Sequence, residues 1–392
     1  MEKVLVLGNN GMLGHVVYQT CQANSFTEKY DVIGINRLDS HRDNKSFKLD
    51  VLNFNELEEF IKNKQPRYII NCIGFLLQAS SNNPSLAIQT NSLLPHFLDR
   101  ISEKYNFKLI HISTDCVFDG KKGMYKESDK KTETNYYGLT KNLGEIDNNR
   151  NLTIRTSIIG PELKSNPTGL FNWVISQKGN TIHGYSSAMW SGLTTIELAK
   201  FIIWSLDKDI TGIVHATNSL GISKYDLVKL INKTFDLNID LLKNKDYEFD
   251  KTLLNTKIDN YNFPSYIKMI EKMKDWIDDL NNLLPKGRVS VSQEDILDHS
   301  HDAWSVSIKT RQQGKDDFFP DVIVYPQSEK EVSTLLAWAS ESKVPVTPWG
   351  AGSAVTGAPL PLTGGVSLDM SRMNKILNLD QKNLTVTVQA GI

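Results

Sequence analysis

Val4-Leu5-Val6-Leu7-Gly8-Asn9-Asn10-Gly11-Met12-Leu13-Gly14 is an apolar run that meets three glycines at three-residue spacing. A short run of this kind, ending in glycine, reads as a strand buried on both faces, as in a parallel sheet. Each glycine then has a use if a dinucleotide binds. Gly8 permits the tight exit from the strand, Gly11 lets backbone N–H groups approach a pyrophosphate, and Gly14 lets the next helix pack on the strand. The start of that helix favours the phosphate charge. Asn10, Met12 and Leu13 complete the turn as candidate cofactor contacts. A glycine turn without a ligand is the competing account, and the position directly after the first strand of an α/β pattern favours the dinucleotide.

Outward from this turn, strands and helices alternate. Strands are predicted at Asp31–Asn36, Tyr68–Ile73, Lys108–Ser113 and Leu152–Ser157, with helices over Met12–Gln22, Asn53–Lys64 and Pro84–Lys104. Alternation with right-handed crossovers predicts an α/β, Rossmann-like, doubly wound parallel sheet. From about Pro161 the pattern loosens into loops carrying Gly184, Tyr185, Trp190 and Gly192 before a helix at Thr195–Ser205, as expected of a small substrate-covering subdomain. Near residue 280 Asn becomes sparse and Pro, Gly, Ser and Val rise. The expected division is residues 1–280 and 281–392, with Leu283-Leu284-Pro285-Lys286-Gly287 as a linker.

Composition narrows the partners. The 392 residues are 40% apolar and 23% charged, with net charge −1, as in a soluble globular protein of two or three domains. The near-neutral balance argues against nucleic acid or anionic membrane as the main partner. Cys21, Cys72 and Cys116 are scattered, with neither metal nor disulfide spacing, so a reducing cytoplasm and no metal are expected. The apolar run at the start is too short for a signal peptide, and no stretch reaches membrane-spanning length.

The second predicted strand ends Gly34-Ile35-Asn36-Arg37 without the acid that would bind the adenosine ribose of NAD. Arg37 can instead pair with a 2′-phosphate, which favours NADPH and leaves NADH open. Asp50-Val51 can place a carboxylate near the adenine amine, or Asp50 can cap a helix.

Tyr137 and Lys141 stand at i and i+4 in Asn-Tyr-Tyr-Gly-Leu-Thr-Lys and share a helix face. An ammonium near a phenol favours the phenolate and lowers its pKa. Tyr137 can then serve as the acid toward a developing alkoxide. Ser113 and Thr114 close the strand before it, where side chains point into the ligand crevice, and Thr114 can hold a carbonyl oxygen. Lys141 can also reach the nicotinamide ribose. An ordinary helix pair is the alternative. Trp190 can stack on a sugar or base or pack in a core, His111 reads as a satisfied core histidine, and Cys72 and Cys116 as small residues beside the cleft.

These pieces resemble the extended short-chain dehydrogenase/reductases, within them the dTDP-4-dehydrorhamnose reductase group, over residues 1 to about 280. The matching strings are Gly8-x-x-Gly11-x-x-Gly14, Asn71-Cys72-Ile73-Gly74, Asn91 with Pro95, Ser113-Thr114-Asp115-Cys116-Val117-Phe118-Asp119-Gly120, Tyr137-x-x-x-Lys141 and Arg155-Thr156-Ser157. The resemblance implies Thr114, Tyr137 and Lys141 as the catalytic set. It implies Cys72, Ile73, Gly74 and Asn91 beside the cofactor, and Ser113, Asp115, Cys116, Val117 and Trp190 toward the substrate. It further implies NADPH-dependent reduction of a nucleotide-linked 4-keto-6-deoxyhexose in polysaccharide precursor synthesis, and leaves homo-oligomerisation open. A non-catalytic regulatory subunit of the same fold is the rival reading.

The C-terminal stretch differs. Phe319-Pro320-Asp321-Val322-Ile323-Val324-Tyr325-Pro326 leads into a helix start at Ser328-Glu329-Lys330-Glu331. Trp349-Gly350-Ala351-Gly352-Ser353-Ala354-Val355-Thr356-Gly357 can wrap a pyrophosphate, with Gly350, Ala351, Gly352, Ser353 and Gly357 as contacts. With Gly364-Gly365-Val366-Ser367-Leu368-Asp369 it resembles the opening of the α+β, PCMH-type FAD-binding domain of FAD-linked oxidases such as glycolate oxidase and D-lactate dehydrogenase. Only that opening precedes Ile392, so an incomplete site that does not hold FAD is expected. A fragment of an FAD-linked 2-hydroxy-acid oxidase is a third reading of the chain.

Overall fold

β1 (Glu2–Leu7) is an interior strand of a seven-stranded parallel sheet. The computed structural model describes the chain except residues 22–28, 38–44, 163–167, 285–287, 291, 313–317, 343 and 363. The described residues form two compact units, one of Met1–Asp39, Lys45–Glu162 and Thr168–Lys274 and another containing Asp275–Ile392. Pro285, Lys286 and Gly287 of the expected linker, and Gln22 of the first expected helix, lie outside the described residues.

In the first unit β1 is followed by α1 (Gly14–Thr20), β2 (Tyr30–Asn36), β3 (Ser46–Lys48), α2 (Phe54–Lys64) and β4 (Tyr68–Asn71). Next come the helical run α3 (Pro84 to Lys104), β5 (Lys108–Thr114), α4 (Tyr136–Leu143), β6 (Leu152–Thr156), α5 (Thr195–Leu206) and β7 (Gly212–His215). The sheet order is β7-β6-β5-β4-β1-β2-β3, and every pairing is parallel. The order reverses at β1 and β4, which opens a crevice at their carboxyl ends. β3 and β7 were not expected from the sequence. Each is only three or four residues long and lacks a strand-length apolar run.

Val4, Leu5, Val6 and Leu7 are all fully buried, as a strand covered on both faces requires. On one face Leu5, Leu7, Ile33, Ile35, Ile69 and Leu109 meet Leu57 and Ile61 of α2 and Leu94, Phe97, Leu98 and Ile101 of α3. Within α3 the segment Ile88–Leu93 is π-helical and ends two residues before Pro95. Proline has no N–H to return to residue i−4 and crowds that carbonyl, so the ladder widens there.

After β6 the chain builds smaller pairings. Thr181–Tyr185 pairs parallel with Asp240–Asn244, and Ala188–Trp190 pairs with both Ile222–Ser223 and Phe249–Asp250. The helix Lys224–Thr234 starts on Ser223, whose hydroxyl accepts from Asp226 N–H.

The second unit holds a four-stranded sheet with spatial order Val289–Ser290, Val322–Val324, Val366–Asp369, Val346–Trp349; the last three strands are parallel and the first antiparallel. Val322, Val324, Val366 and Leu368 pack with Leu284 and with Leu335 of the helix Glu329–Ser342. The acids expected in the first turn of that helix are Glu329 and Glu331. Ile376–Asp380 and Thr385–Val388 form a separate hairpin.

Candidate active site

The glycine turn leaves β1 at Gly8, whose φ is +80°, a region that disfavours side chains. Gly8 N–H donates to the Ile35 carbonyl at 2.8 Å, and Gly11 N–H to the Gly8 carbonyl at 2.8 Å. A Cβ at Gly14 would lie 2.0 Å from the Gly8 carbonyl oxygen, so α1 packs on the turn only because that residue is glycine. A Cβ at Gly11 would meet only the Gly8 carbonyl, at 3.3 Å, and one at Gly74, after β4, would meet nothing within 4 Å. The space over both loops is therefore open. Beneath the turn, Asn9 Nδ2 donates to Ser46 Oγ at 2.9 Å, and Asn36 Nδ2 donates to Asn9 Oδ1 at 3.1 Å. This buried cluster joins the ends of the first three strands. The Asn-Asn-Gly string alone carried no signal for it.

Two further glycines place α4. A Cβ at Gly138 would lie 2.3 Å from the Cys116 carbonyl oxygen, and one at Gly144 would lie 1.9 Å from the Asn91 carbonyl oxygen. The helix is thus pressed between the loop after β5 and the π-helical turn of α3. Asn135 caps it by accepting from Gly138 N–H at 2.8 Å. Tyr137 and Lys141 then share one face.

The Tyr137 phenol is raised above the ordinary tyrosine value, chiefly by burial, with Cys116 and Asp115 adding to the shift and the nearby Thr114 side chain opposing it. Thr114 Oγ1 donates to Asp115 Oδ1 at 3.1 Å and accepts from Cys116 N–H at 3.1 Å. Burial raises the Asp115 carboxyl above the usual carboxylate range, against the pull of Lys251. The Cys72 and Cys116 thiols are pushed up to about 12 by burial, which suits small cleft-side residues and not nucleophiles.

Lys141 turns the other way. Its Nζ donates to the Ile112 carbonyl at 2.6 Å and lies 3.5 Å from His111 Nε2. Burial lowers its pKa to about 8, with Glu145 opposing. The expectation that an ammonium would depress the Tyr137 pKa is corrected: the phenol is raised, and the side chain that opposes the rise is Thr114.

Behind the site, Arg155 grips Glu145 with two hydrogen bonds, Nε–Oε1 at 2.7 Å and Nη2–Oε2 at 2.8 Å. Lys131 Nζ reaches Glu145 Oε2 at 3.0 Å. Burial would raise the Glu145 carboxyl, yet the hydrogen bonds and charge of Arg155 hold it below the usual range.

Residues 1–250 match the family described as the RmlD substrate binding domain. The chain belongs to that family. A crystal structure of a hypothetical dTDP-4-dehydrorhamnose reductase from Sulfolobus tokodaii is 28% identical and superposes with a TM-score of 0.56, covering 64% of this chain and 92% of the other. A dTDP-4-dehydrorhamnose reductase from Bacillus anthracis, solved in complex with NADP, is 21% identical with a TM-score of 0.61, covering 70% and 99%, and shows the shared fold. A probable low-salt glycan biosynthesis reductase of Haloferax volcanii is 25% identical over 236 residues, 56% of this chain and 76% of its own length. Residues 320–392 match a second family, described as an FAD binding domain. A D-lactate dehydrogenase of Anaerostipes hadrus is 35% identical over 125 residues, 32% of this chain. The chain spans only 23% of that relative's length.

Within the RmlD-family fold, several residues expected at the site make contacts inside the protein. Ser113 donates to Glu145 Oε1 at 2.7 Å and so anchors the buried ion pair. Val117 is fully buried with Phe118, Tyr125 and Leu253. Trp190, 6% exposed, donates from Nε1 to Ser157 Oγ at 2.8 Å and packs near Tyr266, so of its two readings packing holds. Asn91 is fully buried; its amide donates to the Phe75 carbonyl and Thr140 Oγ1, and its oxygen accepts from Phe75 N–H. It ties the π-helical turn of α3 to Phe75 and to Thr140 of α4. Asp50 accepts from Leu52 N–H at 3.0 Å in a turn, while the cap of α2 is Asn53. Val51 and Leu13 are buried, Met12 and Ile73 half-buried, and Arg37 exposed at the end of β2.

In the second unit Gly350, Ala351 and Ser353 are exposed. Gly352 and Gly357 have φ of +63° and +78° and lie against the rings of Trp349 and Trp304. Gly357 N–H donates to Asp302 Oδ2 at 3.1 Å, which takes up one N–H of the expected phosphate loop.

Proposed function

We propose that the first unit reduces a nucleotide-linked 4-keto-6-deoxyhexose with NADPH. The nearness of the Thr114 side chain to the Tyr137 phenol at the carboxyl end of β5 carries this reading, because it sets two polar side chains beside the crevice that opens over Gly11 and Gly74. The open space over Gly11 and Gly74 suits a dinucleotide, which supplies the hydride. The B. anthracis relative, described in complex with NADP, and the H. volcanii relative, described as a glycan biosynthesis reductase, support the same cofactor and substrate class.

Thr114 orients the keto oxygen. Tyr137, kept protonated by its surroundings, is already in the form that donates a proton to the alkoxide as it develops. Lys141 holds the nicotinamide ribose hydroxyls. Asp115 and Cys116 border the sugar, and Arg37 selects the 2′-phosphate. The test is NADPH oxidation by the purified chain over a panel of dTDP- and UDP-linked 4-ketosugars. Turnover with at least one of them is expected. NADPH binding without turnover on any would favour the regulatory-subunit reading.

A further inference from the structure

Asn71, the last residue of β4, and His111, in the middle of β5, face each other as register partners. Both are fully buried. Asn71 Oδ1 accepts from Ile73 N–H at 3.1 Å, which fixes the flip of the amide. Its Nδ2 therefore points to His111 Nδ1, at 3.2 Å. An amide nitrogen can only donate, so Nδ1 must accept, and the neutral ring carries its proton on Nε2. That Nε2–H points at Lys141 Nζ, 3.5 Å away.

An ammonium there would confront one donor with another. A neutral amine can accept from Nε2–H with its lone pair while one of its own N–H groups serves the Ile112 carbonyl at 2.6 Å. Extending the reading of Lys141 given above, we infer that Asn71 and His111 are positioning residues that orient the Lys141 amine and bias it toward its uncharged form. The lowered pKa of Lys141, about 8, agrees with this arrangement. Burial keeps the His111 ring neutral, as this tautomer requires.

The other titratable groups around the pair are few. Glu145, beyond the end of α4, favours the Lys141 ammonium. Cys72, after β4, is kept as the thiol by burial. Tyr137, Asp115 and Cys116 lie toward Thr114. With a midpoint near 8 the ammonium still predominates at pH 7, but the amine lies within easier reach than at the ordinary 10.5, so Lys141 can give up and regain a proton during turnover.

The experiment reads the full-length chain without substrate. Nitrogen-15 spectra of the imidazoles assign the His111 tautomer, and lysine side-chain spectra give the Lys141 titration midpoint. The Nε2–H tautomer and a midpoint near 8 are expected in the wild type. Asn71→Asp turns the partner of Nδ1 into an acceptor, so the ring should switch to Nδ1–H, Nε2 should accept from the ammonium, and the Lys141 midpoint should rise by about one unit or more. An Nδ1–H ring or an imidazolium in the wild type at pH 7 overturns the inference, as does a midpoint that stays put in a folded Asn71→Asp chain whose ring has switched. If Asn71→Asp does not fold, the wild-type tautomer decides alone. With a reducible ketosugar, the limb of the pH–rate profile assigned to Lys141 should move with the midpoint. Absence of turnover in the wild type would count against the proposed reaction and leave the spectroscopic result standing.

Discussion

Lys141 donates to the Ile112 carbonyl at 2.6 Å, one helical turn from a Tyr137 phenol that lies near the Thr114 side chain. The two side chains of the Tyr-x-x-x-Lys pair thus hold different partners on one strand, β5. Tyr137 rests in its protonated, proton-donating form without help from the ammonium. The division of labour gives separate expectations for each.

Tyr137→Phe removes the proton donor and almost no volume. Turnover with a reducible nucleotide ketosugar should fall by about 10²–10⁴-fold, the usual worth of general acid catalysis, while NADPH affinity measured by fluorescence titration changes little. Wild-type turnover in the mutant would remove Tyr137 from the role of acid.

Lys141→Met bears on stability as a function of pH. The native amine titrates at about 8, below the ordinary 10.5. Between those values the unfolded chain binds more protons than the folded one, so wild-type stability rises with pH across that window. The unfolding free energy of the wild type, relative to Lys141→Met, should therefore improve from pH 8 to 10.5 and be flat below pH 7. A difference that is flat throughout would show that Lys141 is not depressed.

Arg155→Met leaves the Glu145 carboxylate buried with only Lys131 and Ser113 to compensate it. A loss of about 3–5 kcal/mol in denaturant unfolding is expected, as for other broken buried pairs. The double change Arg155→Met with Glu145→Gln removes both charges and should recover most of that loss. A double mutant as unstable as the single one would mean that Arg155 acts through packing against Phe118.

Arg37→Ala should weaken NADPH more than NADH, by the ~1.5–3 kcal/mol of a hydrogen bond to a charged group. Kd values for the two cofactors, measured at one salt concentration, decide it. Equal weakening of both would refute a role in binding the 2′-phosphate.

Every residue proposed for reduction lies within Met1–Lys274. A chain ending at Leu284 should therefore keep the kcat and KM of the full chain toward the same ketosugar. Loss of turnover on truncation, with the fold intact by circular dichroism, would make the second unit part of the reductase.

Much of this molecule was written locally. The apolar run of β1, the glycines after it and the alternation of strands with helices specified the parallel sheet and its crevice, because burial on both faces and tight turns act over a few residues. The four-residue spacing of Tyr137 and Lys141 set them on one helix face for the same reason. What each side chain touches was decided by strand register. Parallel pairing sets Asn71 opposite His111 and Ser113 opposite Arg155, residues about 40 positions apart that share no sequence signal. That register turns His111 from a generic core histidine into the neighbour of Lys141. It turns Ser113 from a substrate candidate into an anchor of Glu145. Trp190 became core because the distant Ser157 accepts its indole N–H and the Tyr266 ring packs near it. Such contacts are hydrogen-bond partnerships between distant segments, and a linear chain holds them only through the folded sheet.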